Sequence, residues 1–223
     1  MSTQLSKALE DYLKIIYKLE GSQSVDKGVQ TSLIAERLAI SQASVSNMLK
    51  KLAEQGYIRY ERYYGVTLTE SGRKIALNMI RKHRILEQYL VERLGYSWDE
   101  VDEEAEVLEH AISDKLANRM WSDLGEPSHD PHGSPIPGVD GELQSDDWVP
   151  LTEIELNHSC IVKRIKNRSP EELRYLANIG LTTGVELQVK NAAPLNGPLL
   201  VDIDKKALHA IDYRLALALM VSE

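Results

Sequence analysis

The sequence predicts a mainly α-helical protein with small β elements: an N-terminal winged helix-turn-helix, a helical middle and a small C-terminal β-barrel. Three observations carry this reading. Two short helical patterns flank a tight turn at 39–41 and run straight into a hairpin pattern. A long helical stretch follows, with His and Glu at one-turn spacings. Beyond a segment rich in proline and glycine, the periodicity changes from helical to short β-like runs.

Each element has a local reason. Residues 4–20 repeat Leu5, Leu9, Tyr12, Leu13, Ile16 and Leu19 at amphipathic spacing, and the stretch from Gly21 to Gly28 breaks the pattern. Thr31 or Ser32 is placed to cap a short helix running to Leu38. Ala39-Ile40-Ser41 makes the turn, and Ser41 caps a second helix over 42–55 that buries Val45, Met48, Leu49 and Leu52 before Gly56 ends it. Residues 57–62 and 66–69 are β-branched and aromatic, and Tyr63-Tyr64-Gly65 between them makes a wing. Ser71 opens a helix to about residue 95, and a single further helix is expected from Trp98 to about Leu124. Pro127, Pro131, Pro135 and Pro137 with Gly133, Gly138 and Gly141 mark an irregular arm. The last third alternates β runs (159–165, 185–190, 198–203) with a helical piece at 170–179 and a closing segment around 209–220. The expected division is 1–74, 75–140, a linker at 141–150, and 151–223.

Composition bounds the function. The 223 residues are 43% hydrophobic, enough for packed cores. One cysteine, Cys160, excludes an intrachain disulfide framework or a cysteine-only zinc site and fits a reducing cytoplasm. No N-terminal apolar run resembles a secretion signal, and no stretch is apolar and long enough to span a bilayer. A cytoplasmic location is expected. The net charge of −8 argues against nucleic acid only on average. Residues 1–74 hold 11 Lys and Arg against 8 Asp and Glu, a net of +3, so the first third can meet phosphate while the rest stays acidic.

The acidic part carries the metal chemistry. Glu106, Glu109 and His110 stand at i, i+3 and i+4 on one helix face, and His83 and Glu87 are one turn apart on another helix. With Asp11 they make a donor set of oxygen and imidazole without sulfur, which suits manganese or ferrous iron over zinc or copper. The bland alternative is a solvated acidic face. Against it, Val101, Ala105, Leu108 and Ile112 give the acidic helix a core stripe, so some carboxylates must lie beside the core. Di-iron bundles use Glu-x-x-His, whereas here Glu106 and His110 are four apart and Glu109 adjoins His110; the His-Glu-x-x-His of zinc proteases is missing.

On the nucleic-acid side, Ser41, Gln42, Ser44, Asn47, Lys50 and Lys51 of the second short helix lie off its apolar stripe, with Arg59 and Arg62 on the wing. Asn, Gln and Ser read base edges, while Lys, Arg and Ser hold phosphates. A winged helix that contacts protein is the alternative. The modest +3 implies that affinity depends on dimerisation, because two half-sites double the phosphate contacts.

These residues resemble the diphtheria toxin repressor and manganese transport regulator (DtxR/MntR) family of metal-dependent transcription factors. The likeness rests on Glu10-Asp11-Tyr12-Leu13, Ala35-Glu36-Arg37-Leu38, Ser44-Val45-Ser46, Leu68-Thr69-Glu70-Ser71-Gly72, Arg81-Lys82-His83-Arg84 with Glu87, Glu104-Ala105-Glu106 with Glu109-His110, and Pro131-His132-Gly133 with Ile136-Pro137-Gly138. It spans about residues 4–140, and the last third resembles the SH3-like, FeoA-type domain of longer members through Gly180-Leu181 and Gly184. The resemblance implies a homodimer, a helical dimerisation domain, and a repressor that binds a pseudo-palindromic double-stranded operator when metal is bound. Asp11, His83, Glu106, Glu109 and His110 match the family's metal positions. Asp11 and Glu106 stand where iron-type members carry sulfur, which implies manganese, with iron(II) as the alternative. Glu87, Asp130 and His132 match a second site of some three-domain members. Lys14 replaces a further carboxylate of some manganese members, and Asp102 replaces an ancillary histidine of iron-type ones. The rival class is a metal-dependent enzyme using the same cage, which would need a substrate pocket and an open coordination position. The sequence has no nucleophile motif or phosphate loop to support it.

Overall fold

The computed structural model describes residues 6–21, 28–61, 64–166 and 169–223. Arg62, expected on the wing, lies outside the described residues. The chain divides into two compact units, residues 1–82 with 137–142 and residues 83–136 with 143–223.

In the first unit, α1 (Lys7–Glu20), α2 (Thr31–Leu38) and α3 (Gln42–Glu54) pack on a hairpin of β1 (Ile58–Glu61) and β2 (Gly65–Leu68). The core they share includes Leu13, Ile16, Ile34, Val45, Leu49 and Val66, all fully buried. Ser41 caps α3 as expected, its hydroxyl accepting from the Ser44 amide at 3.2 Å. The expected cap of α2 is different: Gln30 holds the N-cap position without a side-chain hydrogen bond, so Thr31 and Ser32 fall inside the first turn. In the wing, Ile58 stands opposite Leu68 and Glu61 opposite Gly65. The outer edge of β2 bonds Val29, whose amide donates to Val66 O at 2.8 Å and whose carbonyl accepts from Val66 N at 2.9 Å. Gly65 has φ +99°, and a Cβ there would stand 2.4 Å from Gly28 O, so only glycine lets the two backbones meet.

The helix α4 (Glu70–Leu94) runs from the first unit into the second. The expected helix over 98–124 is two helices, α5 (Val101–Leu108) and α6 (Asp114–Asp123). Ser113 explains the break: its hydroxyl accepts from the Leu116 amide at 3.2 Å and starts α6 afresh. Ile85, Ala117 and Ile136 form a small core with Ile112, Met120 and Trp121 around it.

The same unit contains a six-stranded antiparallel sheet. Its strands are β3 (Val149–Pro150), β4 (Ser159–Ile165), β5 (Glu186–Ala192), β6 (Leu199–Ile203), β7 (Ala207–Ile211) and β8 (Leu219–Ser222). They lie in the order β3-β8-β4-β5-β6-β7, so the last strand sits between the first two. Helices α7 (Pro170–Asn178) and α8 (Tyr213–Ala218) complete it, α7 starting on a reciprocal Ser169–Glu172 capping box. The end of the stretch expected as a linker is thus strand β3, and the closing segment resolves into β7, α8 and β8. Breaks in register between Val162 and Arg164 and between Val189 and Asn191 bend the sheet over its core. Cys160 is buried there, and burial, helped by the Glu223 charge, pushes its thiol up to about 11. It therefore stays protonated at neutral pH and offers no metal-binding thiolate. Among the described residues no helix is long and apolar enough to cross a membrane.

Candidate metal centre and nucleic-acid interface

Helix α4 presents His83 and Glu87 one turn apart, and both are buried. Helix α5 and the helical turn after it bring four acidic and imidazole groups toward them. His83 Nδ1 lies 2.7 Å from Glu109 Oε2 and 3.5 Å from Glu106 Oε2. His83 Nε2 lies 3.3 Å from Asp102 Oδ1 and 3.6 Å from Glu87 Oε1. One imidazole is therefore ringed by four carboxylates. Burial opposes charge on His83, but Asp102, Glu109 and Glu87 overcome it and raise the imidazole to about 10. A proton on His83 offsets part of the negative charge in the metal-free site. His110 Nε2 stands 3.6 Å from the other oxygen of Glu109, so this fully buried carboxylate lies between the two histidines. The Glu106 and Asp102 side chains are 48% and 58% exposed and form the solvent side of the cluster.

A second cluster shares a member with the first. The same Glu87 oxygen is 3.4 Å from His132 Nδ1. The His132 ring is held in place: its Nε2 donates to Trp98 O at 2.8 Å, which turns Nδ1 toward Glu87. The Trp98 ring stacks on it, centroids 5.3 Å apart. Asp130 uses Oδ1 to accept from the His132 and Ser134 amides, both at 2.8 Å, and turns Oδ2 toward Arg84 Nε at 3.8 Å. The loop holding these residues is tied to the sheet by Ile165 N donating to His132 O at 3.0 Å and Thr183 Oγ1 to Pro131 O at 2.9 Å.

Of the expected metal residues, the structure brings His83, Glu106, Glu109 and His110 into one cluster and Glu87, Asp130 and His132 into another. Asp11 stands on α1 in the first unit, half-buried. Asp102 was absent from the expected ligand set, although it precedes Glu106 by four residues and so shares its helix face. The donors fit a hard or borderline divalent ion: oxygen and imidazole only, with the Glu87 and Glu109 carboxylates at 0% exposure, where an uncompensated negative charge is costly.

On the first unit, Ser41, Gln42, Ser44, Asn47, Lys50 and Lys51 of the α3 region are all exposed, as is Arg59 on β1. The apolar side of α3 is consumed by the core through Val45, Leu49 and Leu52. Ser41 and Ser44 also bond each other, hydroxyl to hydroxyl at 2.9 Å.

Three family models tile the chain. Residues 4–66 match the N-terminal DNA-binding domain of iron-dependent repressors, 69–138 their metal-binding and dimerisation domain, and 149–223 the FeoA domain. A solved manganese-dependent transcriptional repressor in complex with manganese is 42% identical, with a TM-score of 0.84, over 96% of this chain and 99% of its own. The iron-dependent repressor IdeR of Mycobacterium tuberculosis is 37% identical over 138 residues, 61% of this chain and 58% of that protein. An uncharacterised HTH-type transcriptional regulator of Methanocaldococcus jannaschii is 40% identical over 116 residues, 52% of this chain and 91% of its own. The family consists of DNA-binding regulators, which disposes of the metalloenzyme alternative. A DNA-reading head, a carboxylate–histidine cluster and a FeoA sheet in this order agree with the matches, and the chain belongs to the DtxR/MntR family of metal-dependent transcriptional regulators.

Proposed function

We propose that this chain is a manganese-responsive repressor that binds a pseudo-palindromic operator as a homodimer in the cytoplasm, with iron(II) as the alternative effector. The carrying observation is the ring of four carboxylates around buried His83. The residues assigned to the primary ion are Asp11, His83, Glu106, Glu109 and His110, and to the second Glu87, Asp130 and His132. Manganese is favoured because the set holds no thiolate and mixes carboxylates with imidazole. The domain allocation that goes with it is reading head to residue 74, metal-binding and dimerisation helices to 140, and sheet domain from 151.

Each residue has a task. Without an ion the crowded carboxylates repel one another and keep the DNA-competent arrangement scarce. A divalent cation would neutralise them and join Asp11 of the first helix to the dimerisation helices. Recognition helices from two protomers then present Asn47 and Gln42 to base edges, while Lys50, Lys51 and Arg59 meet phosphates. The smaller the competent fraction without metal, the larger the response and the weaker the apparent metal affinity.

The test is operator binding titrated in parallel with manganese, iron(II) and zinc. Glu106→Ala and His110→Ala are expected to stay folded, by circular dichroism, and to lose metal-dependent operator binding. Tight binding by either variant in metal-stripped buffer would remove the coupling. Asn47→Ala is expected to weaken operator binding by about tenfold or more, since a good base contact contributes roughly 1–3 kcal/mol of discrimination. Binding to random DNA should hardly change. An equal loss on both DNAs would take Asn47 out of base readout.

A further inference from the structure

Glu20 is the last residue of α1, where a carboxylate opposes the helix dipole, so local helix energetics do not favour it there. Its side chain is nevertheless only 17% exposed and has two partners. Oε1 accepts from the Leu68 backbone amide at 2.8 Å. Oε2 accepts from Arg73 Nη2 at 2.7 Å, and the Arg73 guanidinium also lies over the Tyr17 ring, 5.3 Å from its centroid. Leu68 ends β2, and Arg73 is in the first turn of α4. Along the outer edge of β2, Val66 is paired with Val29 and Leu68 with Glu20. The carboxylate therefore takes the place of the next backbone acceptor and fastens the base of the wing to the end of α1.

We infer that Glu20 is the positioning residue through which the first helix sets the wing against the DNA backbone. The inference rests on the assignment of Asp11 as a metal ligand. Asp11 lies nine residues before Glu20, roughly 14 Å along the helix axis at 1.5 Å per residue. Between them Tyr12, Leu13 and Ile16 are buried in the core of the reading head, so α1 is braced between the two positions. A shift of α1 on metal binding is thereby passed to β2 and α4 together. Losing Glu20 frees Leu68 and Arg73 and leaves the ligand at the other end in place.

The full-length variants Glu20→Ala and Glu20→Gln test this. Glutamine keeps an acceptor for Leu68 and gives up the charge that holds Arg73, so it guards against a folding defect in the alanine variant. Manganese affinity without DNA, by calorimetry, is expected to stay within about twofold of the parent in both. Operator affinity at saturating manganese is expected to fall about tenfold for alanine and less for glutamine. The slope of log affinity against log salt should become shallower by about one for each phosphate that the wing no longer neutralises. An unchanged operator affinity, a fall in affinity with an unchanged salt slope, or a matching fall in manganese affinity would each overturn the assignment. Asp11→Ala separates the two ideas: if it keeps full metal response, the ligand reading fails, whatever Glu20 does.

Discussion

Glu109→Ala should hold operator binding at its metal-free level at every manganese concentration, a loss of about 100-fold, at the upper end of ordinary coupling between two sites. Glu109 is fully buried and stands between His83, at 2.7 Å, and His110, at 3.6 Å. Asp102, which is not among the assigned ligands, reaches solvent, and water can replace its oxygen there. Water cannot readily reach Glu109. Alanine suits a helix end, so the turn after α5 is retained. Losing a fully buried acceptor 2.7 Å from His83 should lower the melting temperature of the metal-free protein, while circular dichroism checks that the variant stays folded. What disappears is the rise in melting temperature on adding manganese, because that rise measures binding to the folded state alone. A variant that still gained stability and operator affinity with manganese would show that Glu109 is a structural acid.

Gly133→Ala is the second large effect. Gly133 has φ +82°, and a Cβ would stand 1.8 Å from Lys163 O and 2.7 Å from Arg164 Cα. Both are backbone atoms of β4, so no side chain can swing aside. The loop must lift from the strand, breaking the Ile165-to-His132 hydrogen bond and disturbing the orientation of the His132 imidazole. Backbone strain and the broken hydrogen bond together should cost about 3 kcal/mol or more. For a chain of this size that is a fall of roughly 6–12 °C in melting temperature. Calorimetry should also count one manganese fewer per subunit, because Asp130 and His132 move with the loop. A variant with the parent melting temperature and full stoichiometry would contradict both the steric argument and the second site.

The parts of the site that were legible in the sequence obey helix arithmetic. Glu106, Glu109 and His110, and separately His83 and Glu87, are neighbours because helical residues three and four apart share a face. Ser41 was legible because its hydroxyl and the apolar stripe of α3 point to the same boundary. Asp102 was hidden by abundance: the eight acidic residues from Asp99 to Asp114 inclusive give no reason to choose one until the fold sets it beside His83. The break after α5 was hidden because Leu108 and Ile112 continue the apolar stripe across it, and only the Ser113 hydroxyl marks the restart. The stacking of Trp98 on His132 joins positions 34 residues apart, which no local pattern reports. The closing strands were missed because an apolar run such as Leu215 to Val221 reads equally well as helix or strand.

The place of β8 between β3 and β4 bears on the order in which the protein matures during synthesis. The reading head uses residues made early, so it can acquire its shape while translation continues. The sheet cannot, because Leu219–Ser222 must leave the ribosome before β3 and β4 find the neighbour that joins them. A nascent chain stalled ahead of those four residues would expose two strand edges, a ready template for mispairing, behind a head already able to meet nucleic acid.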